Sequence, residues 1–210
     1  MKQQKHYLVF GVIAILGMTL ISGCVRQEIQ PEFVRSCQSE DIETNPDIEY
    51  LLSTTKIELD DSIQVLGHIA VAGYVYIIDI GGTGYPISGP KTEEIKNYDG
   101  RKLLVTARPS ESDIINEIEV LDYEVIPYSV LTGKLGIKRL TWGGVTTDWL
   151  ILNTSVGGKE YIFRLKGRTG EITKYLRNNY VRKEVTVAGV FTSPMAHTLR
   201  QTFVVSYICE

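Results

Sequence analysis

The chain has 210 residues, of which 43% are hydrophobic and 22% are charged, and its formal net charge at pH 7 is −3. This length accommodates one medium domain or two small ones, and it excludes an enzyme built from two large α/β domains. The small net charge hides an asymmetry, because residues 25–127 hold 8 Lys and Arg against 20 Asp and Glu, whereas residues 128–210 hold 12 against 5. An acidic half followed by a basic half predicts two modules with different surfaces. Either these surfaces neutralise each other locally, or the basic half meets an anionic partner.

The first 24 residues have the form of an export signal. Lys2 and Lys5 precede an uncharged run of 14 residues, from Leu8 to Ile21, which is shorter than the roughly 20 apolar residues of a membrane-spanning helix. The sequence Ile-Ser-Gly-Cys that ends at Cys24 resembles the lipobox of prokaryotic lipoproteins. The resemblance implies cleavage before Cys24, acylation of that cysteine, and an extracytoplasmic protein held by its lipid to the cell membrane or the outer membrane. The alternative is an ordinary signal peptide or an N-terminal anchor in which Cys24 is incidental.

Residues 25–50 are polar and acidic, and their composition predicts a flexible linker between membrane and fold. A short helical turn is predicted near its end, with Asp47 as the capping residue. If Cys24 carries lipid, Cys37 and Cys209 remain as an even pair in an exported protein, where disulfides persist. The sequence is equally compatible with a Cys37–Cys209 disulfide and with two free thiols.

Short strands dominate the rest of the chain. Segments rich in β-branched and aromatic residues, a short helix and two further strands occupy residues 51–127, and residues 128–210 repeat that order. Glycines 67 and 73 interrupt the first strands of this pattern. Asn97–Ala107 aligns without a gap with Asn178–Ala188 at an offset of 81 residues. A duplication with a period near 80 residues is therefore predicted.

Five or so strands with a short helix before the fourth resemble the OB-fold, a small closed Greek-key barrel. The resemblance covers residues 57–210 as two copies. It predicts an all-β protein with an acidic OB-like barrel in residues 51–127 and a basic OB-like barrel in residues 128–210. The alternative architecture is a single β-sandwich that uses all of the strands.

The sequence contains no visible catalytic constellation. Beyond the signal segment there are two histidines, His68 in an apolar strand and His197 in a loop, and neither has a catalytic partner nearby in the sequence. No cluster of Cys, His and acidic residues has the spacing of metal ligands. We therefore predict no enzyme activity, no metal and no cofactor. A hydrolase whose site uses His68 or His197 is a third hypothesis, behind the two binding functions that follow.

The basic half supplies the candidate binding residues. Strand alternation in residues 161–166 places Tyr161 and Phe163 on one face, predicted as core, and Arg164 and Lys166 on the other. The candidate anion-binding residues are Lys159, Arg164, Lys166, Arg168, Lys174 and Arg177. The first hypothesis is a membrane-anchored, non-enzymatic binding or assembly module with an unknown protein or polyanionic partner. The alternative is binding of single-stranded nucleic acid or another polyanion by the second barrel, and anionic lipid headgroups suit the same charges.

Overall fold

The computed structural model describes residues 30–38, 42–44, 46–53, 56–59, 61–192 and 201–210. Residues 32–210 form one compact unit. The predicted signal segment, Cys24 and His197 lie outside the described residues. The part of the chain that is described contains no helix long and apolar enough to cross a membrane.

The described residues form short helices and two β-sheets. The strands are β1 (Val34–Arg35), β2 (Ile42–Glu43), β3 (Lys56–Glu58), β4 (Ile63–Ala72), β5 (Tyr74–Asp79), β6 (Gly84–Ser88), β7 (Lys102–Pro109), β8 (Ile118–Val125), β9 (Tyr128–Trp142), β10 (Val145–Val156), β11 (Lys159–Gly167), β12 (Glu184–Thr192) and β13 (Thr202–Cys209). The helices are α1 (Ile48–Leu52), α2 (Thr92–Ile95, continued by a 3-10 turn at Lys96–Tyr98) and α3 (Gly170–Tyr180).

The first sheet closes into a five-stranded barrel. Its strands follow the order β4-β5-β6-β8-β7, and β7 pairs back onto β4 to complete the ring. Strands β6 and β8 are parallel, whereas the other neighbours in the ring are antiparallel. Helix α2 lies between the third and fourth strands of the ring, and β3 pairs with β4 outside it. This topology is that of an OB-fold barrel.

The second sheet repeats this topology with β9, β10, β11, β13 and β12, and β12 pairs with β13 to close the ring. The parallel pair is again the third and fifth strands, β11 and β13, and α3 again precedes the fourth strand. Strands β9 and β10 extend beyond β11 as a long hairpin that turns at Gly143 and Gly144. The prediction of two OB-like barrels is confirmed, and the single sandwich is excluded because each sheet closes on itself.

Each barrel has a glycine in its first strand where the second strand approaches closely. A Cβ atom on Gly67 would lie 2.5 Å from the carbonyl oxygen of Ile78, and a Cβ atom on Gly133 would collide with the carbonyl oxygen of Asn153. Only glycine permits such an approach of two backbones. The interruption predicted at Gly67 is therefore wrong, because β4 continues through that residue. The turn lies at Gly73, where φ is 76°.

The two barrels correspond in their fourth strands at an offset of 82 residues, one more than the sequence alignment predicts. The β-bulge between Thr106 and Ala107 in β7 has its counterpart between Ala188 and Gly189 in β12. Gly100 and Arg182, with φ of 74° and 69°, occupy matching positions before these strands. Each donates its N–H to a carbonyl of the first strand of its own barrel. The sequence alignment instead matches the identical Arg-Lys pairs of the two barrels. The backbone hydrogen bonds show that these pairs occupy positions that differ by one residue.

The barrels share an apolar contact as well as having their own cores. Ile77 is buried in the first barrel and Leu152 in the second. Leu66 and Ile126 of the first barrel pack into the core of the second, together with Leu51 of α1. Because this contact is buried and apolar, the hydrophobic effect holds the two barrels together.

The N-terminal segment is attached to the second barrel. Strand β1 pairs in parallel with β13, β2 pairs in parallel with β9, and Cys37 forms a disulfide with Cys209 across a Cα–Cα distance of 5.3 Å. Helix α1 begins after Asp47, whose carboxylate accepts a hydrogen bond from the N–H of Tyr50 at 2.9 Å. The described part of the predicted flexible linker is thus docked, because strand pairing and a covalent bond hold it.

Candidate anion-binding site

Strand β11 alternates between the core and the outer surface of the second barrel. Phe163 and Leu165 are 2% and 3% exposed and point inward, as the alternation predicts for Phe163. Arg164 and Lys166 lie on the opposite face, and Arg168 follows directly after the strand. These three cations are called the β11 row from here on. Their position follows from strand geometry, because alternate residues of a strand share one face.

Arg164 is held against an aromatic ring. Its guanidinium carbon lies 4.1 Å from the ring centre of Trp149, which is on β10. Burial lowers the pKa of Arg164, but an arginine remains charged throughout the neutral range. A cation over a tryptophan ring contributes about 0.5–1 kcal/mol at an accessible site. The contact therefore holds a positive charge in place on the outer face of the barrel.

The other two members of the β11 row differ in their contacts. Lys166 is exposed, and its side chain makes no ion pair or hydrogen bond with another described residue. Arg168 reaches the first barrel, where its Nη2 donates to the carbonyl oxygen of Asp99 at 3.0 Å. Lys166 is thus available to a ligand, whereas Arg168 also joins the two barrels.

A cleft of about 260 Å³ lies where the two barrels meet beside the β11 row. The described residues that line it come from both barrels, and none of these is acidic: His68, Gly100, Arg164, Lys166, Val190, Thr192, Thr202 and Val204. Burial and the nearby charge of Lys102 lower the pKa of His68, against smaller opposing effects of Asp99 and of a backbone hydrogen bond to Ile78. His68 is therefore neutral at pH 7 when the cleft holds no anion. The sequence gives no signal that His68 and Thr202 belong to one site.

The remaining candidate cations lie elsewhere. Lys159, at the start of β11, pairs with Glu49 of α1, and both side chains are largely exposed. Lys174 is exposed on α3. Arg177 donates from Nη2 to the carbonyl oxygen of Asp148 at 3.2 Å. The structure thus brings together half of the candidate anion-binding residues, the β11 row, and separates the other half.

The corresponding face of the first barrel has different chemistry. Strand register matches Tyr74 to Trp149 and Pro86 to Arg164. Tyr74 is 61% exposed, so an aromatic side chain occupies the same place in both barrels. Only the second barrel adds arginine and lysine on the neighbouring strand. The charge asymmetry of the sequence therefore appears at equivalent positions of the two barrels.

The described residues contain no group of three or more His, Cys, Asp or Glu side chains arranged to hold a metal ion. Cys37 and Cys209 are bonded to each other. The residues of the cleft described above offer hydrogen bonding and positive charge.

No protein-family model matches the chain, and no curated protein sequence matches it. Comparison with solved structures finds a low similarity to two structures of the single-stranded DNA binding protein from Thermus aquaticus. A deletion mutant is 10% identical, with 70% of this chain and 80% of that chain covered at a TM-score of 0.31. The wild-type protein is 12% identical, with 70% and 79% covered at the same TM-score. Similarity at this level assigns neither family nor function, and the OB-like fold rests on the strand order described above.

Proposed function

We propose that this protein is a non-enzymatic binding module, held outside the cytoplasm by a lipid on Cys24, whose second barrel binds an anionic ligand through the β11 row. The observation that supports this proposal is the succession of Arg164 and Lys166 on β11 and Arg168 directly after it, beside a cleft whose described lining residues include no acid. Arg164 and Lys166 are about 7 Å apart along the strand. Such spacing suits a linear anion that offers several charges in succession.

The described contacts of Arg168 with the acidic half of the chain are to backbone rather than to a carboxylate. The contact of Arg168 with the first barrel is to a backbone carbonyl of Asp99, while the carboxylate of Asp99 accepts from the N–H of Val71 at 3.2 Å. The pair between Glu49 and Lys159 lies at the opposite end of β11. Among the described residues, the contacts of Lys166 and Arg168 therefore include no carboxylate, and these two side chains contribute a positive field at the cleft.

Single-stranded nucleic acid is a second candidate ligand, favoured by Trp149 and by Ile162, which is 47% exposed on β11. The face of the second and third strands of an OB barrel is where aromatic and apolar groups meet bases, while cations follow the backbone. Trp149 and Ile162 lie on these two strands, beside Arg164.

The test is a salt titration of residues 32–210 on heparin, on a single-stranded oligothymidine and on vesicles containing phosphatidylglycerol. The double variant Arg164→Ala/Lys166→Ala removes two charges of the row and leaves Arg168 to join the barrels. Its matched control, Lys134→Ala/Lys183→Ala, removes two exposed charges elsewhere on the same barrel, one on β9 and one in the turn directly before β12. For an oligothymidine the double variant is expected to reduce the salt slope by about 1.4, since each neutralised phosphate contributes about 0.7.

A control variant that weakens binding as much as the double variant would refute the assignment to the β11 row. Absence of binding to all three probes at low salt would refute the proposal that the ligand is anionic. Binding to heparin without binding to the oligothymidine would eliminate the second candidate. The lipid anchor is tested separately, because Cys24→Ser is expected to abolish incorporation of labelled fatty acid into the chain.

A further inference from the structure

The cleft between the barrels contains a buried hydroxyl group without a partner. Thr202 is 4% exposed and lines the cleft, and its Oγ1 makes no hydrogen bond. Buried hydroxyl groups in folded proteins almost always have a hydrogen-bond partner. A buried hydroxyl without a partner loses the hydrogen bond that it would make with water in the unfolded chain. The position of Thr202 is fixed on both sides, since it pairs with Arg164 of β11 and with Thr192 of β12. Its hydroxyl is therefore a fixed donor at the cleft.

Basic side chains lie around this hydroxyl. Arg164 is its direct neighbour across the strand pair, and Lys166 and His68, which is on the first barrel, line the same cleft. A volume of about 260 Å³ is below the roughly 300 Å³ at which pockets begin to enclose whole drug-sized molecules. The cleft thus suits one small group and a few waters, with donors on several sides.

We propose that the cleft binds a single phosphate group, which accepts hydrogen bonds from Thr202 Oγ1 and Lys166 Nζ and is closed in by His68. The inference rests on the proposed anionic ligand and names the group of that ligand that enters the cleft. The shared chemistry is a tetrahedral oxyanion with several acceptor oxygens. Such a group occurs as free phosphate, as a phosphodiester of a polymer and as a lipid headgroup.

Occupation of the cleft has a consequence for His68. An anion next to a neutral imidazole favours its protonated form and so raises its pKa. The charged groups that face His68 are Lys102 and Asp99 of the first barrel and Arg164 and Lys166 of the second. Inorganic phosphate changes its own charge near neutral pH, so the pH dependence is measured with a phosphodiester, whose charge stays constant there. The phosphodiester is expected to bind more tightly at pH 5.5 than at pH 7.5, because His68 is protonated at the lower pH.

The experiment is an NMR titration of residues 32–210 with inorganic phosphate. This fragment holds two histidines, so His197 serves as an internal reference for the imidazole signal of His68. Thr202→Val removes the hydroxyl and keeps the shape of the side chain, and Thr147→Val makes the same change at an exposed position of β10. We expect phosphate to raise the pKa of His68 but not that of His197, and Thr202→Val to weaken phosphate binding at least tenfold. Thr147→Val is expected to bind as the wild type does.

Loss of affinity in Thr202→Val cannot be ascribed to unfolding if its melting temperature is unchanged or higher, which is expected because the variant removes an unpartnered polar group. Phosphate that leaves the His68 signal unmoved, or a Thr202→Val variant with wild-type affinity, would overturn the proposal. Repeating the titration with a short phosphodiester and with a short-chain phosphatidylglycerol distinguishes the sources, since the true ligand class binds more tightly than free phosphate.

The two proposals fail in different ways. Thr202→Val is expected to leave the salt slope on heparin unchanged, because that slope follows the charges of the β11 row. If Thr202→Val binds phosphate as tightly as the wild type does, the cleft site is refuted and the proposed function is unaffected. A flat salt slope with tight, Thr202-dependent phosphate binding would instead remove the polymeric ligand and leave a site for a small anion.

Discussion

Lys102 links the stability of this protein to pH. It is 3% exposed, and its Nζ donates to the carbonyl oxygen of Leu51 at the end of α1 at 2.5 Å. Burial lowers the pKa of Lys102 to about 8, from 10.5. In the unfolded chain the lysine keeps its ordinary pKa, so between these two values the unfolded state holds a proton that the folded state has released. The free energy of unfolding therefore rises with pH across this interval.

The magnitude follows from the size of the pKa difference. At about 1.4 kcal/mol per pKa unit, the charged form of Lys102 costs the fold about 3 kcal/mol at pH 7. About 2 kcal/mol of this cost is relieved by pH 9.5, where the folded state is deprotonated and the unfolded state is still protonated. The range from pH 7 to pH 9.5 stays above the lowered pKa of His68 and well below that of Tyr180, which burial raises to about 12.

The assay is urea unfolding of residues 32–210 at half-unit steps from pH 7 to pH 9.5. Lys102→Met removes the titrating group and is expected to abolish the rise of about 2 kcal/mol. At pH 9.5 the variant is expected to be less stable than the wild type, because the Leu51 carbonyl loses its buried partner at a cost of about 1–3 kcal/mol. Lys183→Met, at an exposed position, is the matched control and should keep the rise. A wild type whose stability is flat or falling over this range, or a Lys102→Met variant with the wild-type slope, would refute the reasoning.

Three further predictions concern the backbone and the disulfide, each measured by the free energy of unfolding in urea. Gly67→Ala is expected to destabilise the protein by about 3 kcal/mol, because its Cβ would lie 2.5 Å from a carbonyl oxygen of the neighbouring strand. Gly100→Ala is expected to destabilise by about 1 kcal/mol and Arg182→Gly to stabilise by less than about 1 kcal/mol, since both positions have positive φ. Cys37→Ser/Cys209→Ser removes a cross-link between residues 172 apart and is expected to cost about 2–5 kcal/mol.

Controls for these variants come from the same fold. Gly84→Ala adds a Cβ to a strand glycine with only ordinary contacts, at 3.8 Å from Tyr76, and should cost much less than Gly67→Ala. Equal effects of the two alanines would mean that close backbone approach does not explain Gly67. Stabilisation by Gly100→Ala or destabilisation by Arg182→Gly would contradict the correspondence of these positions. A reduced wild-type protein should lose as much stability as the double serine variant, and a serine variant with wild-type stability would argue against the bond.

The sequence by itself determines the elements and their repetition. Period-two strands and the recurring order of strands and short helix are local properties, so they predict both barrels and the helix cap at Asp47. Alternation likewise separates Phe163, which is core, from Arg164, which is on the surface. The prediction of a strand break at Gly67 is wrong for a reason that lies outside the local sequence. A sequence cannot distinguish a glycine that bends the chain from a glycine that lets a neighbouring backbone approach closely.

Only the tertiary structure decides which side chains form the site. His68 and Thr202 lie 134 residues apart and in different barrels, and they meet because Leu66 and Ile126 dock the first barrel onto the second. The same packing brings Arg168, but not Lys174, to the other barrel. Strand patterns are set by each segment's own alternation of polar and apolar residues, whereas a cleft between barrels depends on buried surface that no single segment contains.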